Sequence, residues 1–127
     1  SKPERVRTET ERNVMKQINA YIQPFMADKV TDALRNAGVH GVTVVPCKGF
    51  GRMVQAPGLR YEETGDTLGF VAKTKLEIVC AAADKDKIVA TIREHARTGR
   101  HGDGKIFVST VDEAEDIRTG AKGRDVI

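Results

Sequence analysis

A glycine-rich stretch at residues 97–105, here called the glycine loop, carries the residue types best suited to chemistry in this chain of 127 residues. Its three glycines are Gly99, Gly102 and Gly104. Glycines allow backbone conformations that other residues avoid, and successive N–H groups in such a turn can point at one anion. Because Arg97, Arg100 and Lys105 stand beside the glycines, the loop predicts a cradle for a phosphate. The alternative is an ordinary glycine-rich turn between a helix and a strand.

The same stretch also matches the spacing of a P-loop, since residues 99–105 read G-x-x-x-x-G-K. A P-loop places Ser or Thr next, to hold magnesium, and it joins a strand to a helix. Here Ile106 stands at that position, and a helical pattern precedes the loop while a strand pattern follows it. We therefore exclude a nucleotide hydrolase of the P-loop class.

Composition sets the broad class of the protein. The length suits a single domain, and a small core is expected from 39% hydrophobic and 5% aromatic residues. The net charge of +3 arises from interleaved acidic and basic residues, which argues against a nucleic-acid-binding surface. No apolar run is long enough to span a membrane. The two cysteines, Cys47 and Cys80, are interpreted as small core residues in a reducing, cytoplasmic compartment.

The first half of the chain reads as strand, helix, strand. Residues 17–23 alternate, with Ile18, Ala20 and Ile22 on one face, and we predict a half-buried strand there, preceded by a flexible arm or short helix at residues 1–16. Residues 28–37 show apolar residues at helical spacing, closed by Gly38. Residues 41–48 are rich in β-branched residues and predict the second strand.

The second half repeats this order after an irregular segment at residues 50–70. The pattern predicts a strand at residues 71–83, a helix starting after an N-cap at Asp84 and ending near Thr98, and a strand at residues 105–111. The order is therefore βαβ–loop–βαβ, an α+β fold of the ferredoxin-like type. A small sheet of this kind leaves one face open, and that face is often covered by a neighbouring subunit.

Three segments resemble the PII signal-transduction protein family. The first is residues 21–25, and the second is residues 41–52, which end in GFGR. The third is the glycine loop with its continuation to residue 108, and it is followed by IRTG at residues 117–120. The resemblance covers residues 17–127 and is most specific at the glycine loop. It implies a homotrimer that binds ATP, ADP or AMP in clefts between subunits. It also implies that a long T-loop, residues 50–70 here, reports the ligand state to a transporter, enzyme or regulator. The glycine loop corresponds to the family's B-loop and residues 112–127 to its C-loop.

The resemblance also assigns nucleotide-binding positions. They are Thr43, Gly49, Arg52, Glu77, Val79, Arg97, Thr98, Gly102, Asp103, Gly104, Lys105 and Arg118. Of these, Thr43, Glu77 and Val79 match positions near the adenine, while Arg52 meets phosphate at the base of the T-loop. Arg118 matches a C-loop arginine that comes from the neighbouring subunit.

Two departures from the family pattern bear on the effector. Met53 stands where a glutamine that supports magnesium and 2-oxoglutarate binding is usual, and a thioether is a poor ligand for a hard cation. Asp116 stands where a second C-loop arginine is usual, and a carboxylate near a polyphosphate is repulsive. These changes predict that ADP or AMP binds at least as well as ATP, that magnesium binding is doubtful, and that 2-oxoglutarate adds nothing.

The function favoured by these departures is a PII-like regulator of inorganic-carbon uptake. Its expected effector is an adenine nucleotide, with bicarbonate as a candidate second effector, and its expected target is a membrane transporter or an enzyme. The alternative is a nitrogen-regulatory PII protein that senses ATP and 2-oxoglutarate. A slow ATPase is a further alternative, but no catalytic constellation is visible in the sequence, and we expect a binding protein rather than an enzyme.

Overall fold

The computed structural model describes residues 13–50 and 70–127. Its elements in chain order are β1 (Met15–Ile22), α1 (Ala27–Asn36), β2 (Thr43–Gly49), β3 (Val71–Ala81), α2 (Lys85–Ala96) and β4 (Gly104–Val111). The four strands form one antiparallel sheet in the order β2-β3-β1-β4. The predicted ferredoxin-like βαβ–βαβ arrangement is thus confirmed.

The core lies between one face of the sheet and the two helices. Strand alternation places Ile18, Ala20 and Ile22 of β1 on that face, and all three are almost fully buried. Leu76 and Ile78 of β3 join them. The apolar stripe of each helix packs on this layer through Val30, Leu34, Ile88, Ile92 and Ala96. The other face of the sheet carries the polar and charged side chains that line the candidate site.

Helix α1 ends as its sequence predicts. Gly38 has φ +90°, and its N–H donates to the Arg35 carbonyl at 3.1 Å. The next N–H, that of Val39, donates to the Leu34 carbonyl at 3.0 Å. These two bonds satisfy carbonyls left open at the helix end, which is the Schellman arrangement. Residues 39–42 then connect the helix to β2.

The start of α2 differs from the prediction. Asp84 does not cap the helix with its side chain, because it lies in a 3-10 turn at Ala82–Asp84 and has helical dihedral angles of −94° and −9°. A side-chain N-cap needs an extended residue at this position. The helix ends at Ala96 rather than near Thr98, and β3 ends at Ala81 rather than at residue 83.

Strand β1 begins at Met15, two residues before the predicted start. Met15 pairs with Ala81 on one side and Val111 on the other, and it is 4% exposed. Residues 1–12 of the arm predicted at residues 1–16, and most of the predicted T-loop, lie outside the described residues. Within the described ranges, no helix is long and apolar enough to cross a membrane.

Candidate functional site

The glycine loop leaves α2 at Ala96 and enters β4 at Gly104. Its glycines have φ values of +88° at Gly99, +91° at Gly102 and +117° at Gly104. These values lie where side chains are disfavoured, so the glycines are required by the path of the backbone. The helix-to-strand order confirms that the loop is not a P-loop.

Asp103 organises the loop from within. Its carboxylate accepts hydrogen bonds from the N–H of Thr98 at 2.8 Å, from the N–H of Gly99 at 2.9 Å, and from the Thr98 hydroxyl. The Thr98 hydroxyl in turn accepts from the N–H of Arg100 at 3.2 Å. Part of the N–H cluster that the sequence predicts for a phosphate is therefore occupied by the loop's own carboxylate.

These hydrogen bonds lower the pKa of Asp103, chiefly through the Thr98 hydroxyl and further through the backbone N–H groups. A carboxyl whose folded pKa is lowered stabilises the loop fully above its ordinary value of 3.8, and the contribution disappears as the pH falls through the lowered pKa. The loop is therefore expected to keep its hydrogen bonds to the Asp103 carboxylate at neutral pH.

We expect the amide NMR signals of Thr98 and Gly99 to shift with pH in a single step whose midpoint lies below 3.8. The shift reports protonation of Asp103, which removes the acceptor of both amides. Asp103→Asn should abolish the step, whereas Asp28→Asn on α1 should leave it intact. A midpoint above 4, or a step that survives in Asp103→Asn, would show that another group holds these amides.

The Gly102 carbonyl fixes the other end of the loop. It accepts a hydrogen bond from the Lys73 ammonium at 2.6 Å and one from the Gln23 side-chain amide, also at 2.6 Å. Burial lowers the pKa of Lys73, and the nearby Asp103 carboxylate partly opposes this effect. Neither Lys73 nor Gln23 was among the predicted site residues, because both are remote from the loop in sequence.

Gly104 lies directly against the backbone of β1. A Cβ atom added to it would lie 1.8 Å from the Tyr21 carbonyl oxygen. This close approach, together with φ +117°, means that only glycine fits where the loop joins the sheet.

A cavity of about 410 Å³ joins the glycine loop to the end of β2. Five predicted site residues line it: Gly49, Gly102, Asp103, Gly104 and Lys105. Lys73, Arg100 and Tyr21 line it as well. A second groove, against α2, contains Arg97 with Asp103, Gly104 and Lys105. The structure thus brings together the predicted residues of the glycine loop and Gly49, with Thr98 held by Asp103 beside them.

The predicted adenine residues form a separate group. Thr43 pairs with Glu77 across β2 and β3, and Val79 follows on the same face with 39% exposure. Glu77 forms an ion pair with Lys75 at 2.8 Å. These residues line a groove of about 710 Å³ that the C-terminal residues Arg124, Val126 and Ile127 also line. The groove does not include the glycine loop. Within one protomer, the predicted adenine residues and the predicted phosphate-binding residues therefore lie in different grooves.

Arg118 lies exposed in a turn that Asp116 stabilises. The Asp116 carboxylate accepts hydrogen bonds from the N–H of Thr119 at 3.0 Å and from its hydroxyl at 3.1 Å. Arg118 is not among the described residues that line the cavities at the glycine loop. Arg52 and Met53 lie outside the described residues.

The cysteines and histidines contribute no further site to this region. Cys80 is buried in the core, as predicted, and burial raises its thiol pKa. The predicted core position is wrong for Cys47, which is half-buried on the open face of β2. Neither forms a disulfide. Within residues 13–50 and 70–127, no group of histidine, cysteine and carboxylate side chains is arranged to hold a metal ion.

The sequence model of the family described as "Nitrogen regulatory protein P-II" matches residues 15–121. A protein of that name from Rhizobium meliloti is 45% identical over 113 residues, which span 89% of this chain and all of the relative. Another, from Synechocystis, is 44% identical over the same share of both chains. The crystal structure of Arabidopsis thaliana PII bound to citrate superposes with a TM-score of 0.72 at 36% identity, covering 89% of this chain and 92% of that one.

Proposed function

The chain belongs to the nitrogen regulatory protein P-II family, and on this premise we propose that it is a regulatory protein that binds adenine nucleotides and signals to a target in nitrogen regulation. The nucleotide phosphates are bound at the glycine loop, and residues 50–70 transmit the ligand state. The observation that carries this proposal is the preorganised glycine loop with its exposed cations.

The loop suits a polyphosphate for physical reasons. Its conformation is held by Asp103 and by the Gly102 carbonyl, so little entropy is lost when a ligand is bound. Three cations, Arg97, Arg100 and Lys105, are exposed around it. Charge-assisted hydrogen bonds from such groups are stronger than neutral ones and match phosphate oxygens well.

We further propose that the nucleotide lies between subunits of a homotrimer. The adenine group, Thr43, Glu77 and Val79, and the phosphate group at the glycine loop lie in different grooves of one protomer. A single nucleotide can contact both groups when the groove of one subunit faces the loop of its neighbour. In such an arrangement the exposed turn with Arg118 can also reach the neighbouring subunit.

The pathway proposed here differs from the one that the sequence favoured. Inorganic-carbon regulation rested on Met53 and Asp116, whereas the relatives carry the name nitrogen regulatory protein P-II. In addition, Thr119 holds the Asp116 carboxylate in its own turn, and Asp116 lines neither cavity at the glycine loop of its own protomer. Carbon regulation remains a second candidate, supported by the missing oxygen ligand at Met53.

Calorimetric titration of the protein with ADP and ATP, each with and without magnesium, 2-oxoglutarate and bicarbonate, tests the proposal. We expect ADP to bind at least as tightly as ATP, because Met53 supplies no ligand for the magnesium that would neutralise the third phosphate. Restoring the ligand with Met53→Gln should strengthen magnesium-ATP binding selectively, whereas Met53→Leu should behave like the natural protein.

The outcomes separate the candidates. If neither ADP nor ATP binds, the proposed function is refuted. Nucleotide-dependent binding of 2-oxoglutarate would support nitrogen sensing. If bicarbonate changes the binding heat and 2-oxoglutarate does not, carbon regulation would be favoured. Steady phosphate release from ATP over hours would identify a slow ATPase instead.

A further inference from the structure

We propose that Gln23 is a positioning residue of the glycine loop, which it holds, through the Gly102 carbonyl, in the conformation that receives phosphate. The identity of the ligand rests on the proposed function, whereas the contact itself does not. Gln23 follows the last residue of β1 and lies 79 residues from Gly102 in sequence. Its side-chain N–H donates to the Gly102 carbonyl at 2.6 Å, a short distance for a neutral hydrogen bond.

The backbone of Gln23 is fixed from both sides. It precedes Pro24, which restricts it to extended conformations, and its dihedral angles are −66° and 136°. Its carbonyl accepts the N–H of Met26 at 3.0 Å, which closes the turn into α1. The amide of Gln23 is therefore presented from a rigid corner, as a positioning group requires.

The contact acts on the whole loop through one peptide unit. The Gly102 carbonyl belongs to the peptide that begins Asp103, so fixing this carbonyl also fixes where the Asp103 side chain starts. Asp103 then holds the N–H groups of Thr98 and Gly99 at the other end of the loop. Gln23 is thus connected to the loop entrance by consecutive contacts.

Gln23 shares the carbonyl with Lys73, and the two donors have different roles. A carbonyl oxygen has two lone pairs and can accept both hydrogen bonds. The Lys73 ammonium also interacts with the Asp103 carboxylate, so its removal would change the local field as well as the geometry. The Gln23 amide carries no charge, and its removal changes geometry alone.

The test replaces Gln23 with a side chain of similar length that cannot donate, in Gln23→Met. We expect amide hydrogen exchange at residues 98–104 to become about threefold to tenfold faster, the range expected for loss of one neutral hydrogen bond, while exchange in the core of β1 and β3 is unchanged. The calorimetric dissociation constant for ADP should rise by a similar factor. The full chain is used throughout.

Two variants make the result decisive. Gln23→Lys restores a donor at the same position and should recover the slow exchange of the loop. Gln17→Met removes another β1 glutamine, one that contacts Asn19 at 3.2 Å rather than the loop, and should leave loop exchange unchanged. Unchanged exchange in Gln23→Met, no recovery in Gln23→Lys, or an equal effect in Gln17→Met would overturn the inference. If the natural protein fails to bind ADP, the proposed function falls, whereas loop exchange still decides the role of Gln23.

Discussion

Gly104→Ala is expected to lower the free energy of unfolding by about 4 kcal/mol, the combined effect of overpacking and of a backbone conformation reserved for glycine. The added methyl carbon would lie 1.8 Å from the Tyr21 carbonyl oxygen. Tyr21 and Ile22 are the last two residues of β1, a strand that is paired on both sides, so the backbones cannot move apart without separating β1 from β4. Urea denaturation followed by circular dichroism measures the change.

Gly99→Ala is the matched control for this prediction. Gly99 also has a positive φ, +88°, but a Cβ atom there would meet nothing within 4 Å. Only the penalty for a positive φ applies, so the free energy of unfolding is expected to fall by about 1 kcal/mol. Equal losses in the two variants would mean that the contact with Tyr21 does not determine the requirement for glycine at the loop exit.

The fold was predictable because its information is local and periodic. A one-residue slip would move Ile18, Ala20 and Ile22 from the core to solvent, so the alternating pattern determines which face of β1 is buried. The start of β1 was less predictable. Met15 belongs to the strand because Ala81 and Val111 cover it from two other strands, and those contacts are not visible in the local sequence.

The site was predictable only in part. Glycines at loop positions imply an unusual backbone, and all three have positive φ. The support of the loop was not predictable, because Lys73 and Gln23 reach Gly102 from 29 and 79 residues away. The role of Asp103 was also missed. The sequence showed an acidic residue at a suspected phosphate site but not that it holds the loop from within.

Lys105→Ala is expected to weaken ADP binding by about 10- to 100-fold, the range for losing one hydrogen bond to a charged partner. Lys105 is the second residue of β4 and pairs with Tyr21, so its backbone position is fixed by the sheet. Its side chain is exposed and lines the cavities on both sides of the glycine loop. Isothermal titration calorimetry at two salt concentrations measures the effect, which should be larger at low salt.

Lys105 is distinguished from its neighbours by what each ammonium already contacts. Lys73 donates to the Gly102 carbonyl, and Lys75 pairs with Glu77 at 2.8 Å. Among the described residues, the Lys105 ammonium has no hydrogen bond or ion pair, so it is free to meet a phosphate. Lys29→Ala on the exposed side of α1 removes the same net charge away from the loop and should leave ADP binding unchanged. A loss below twofold in Lys105→Ala would show that this ammonium does not bind the phosphates. An equal loss in Lys29→Ala would show that overall charge rather than the glycine loop attracts the nucleotide.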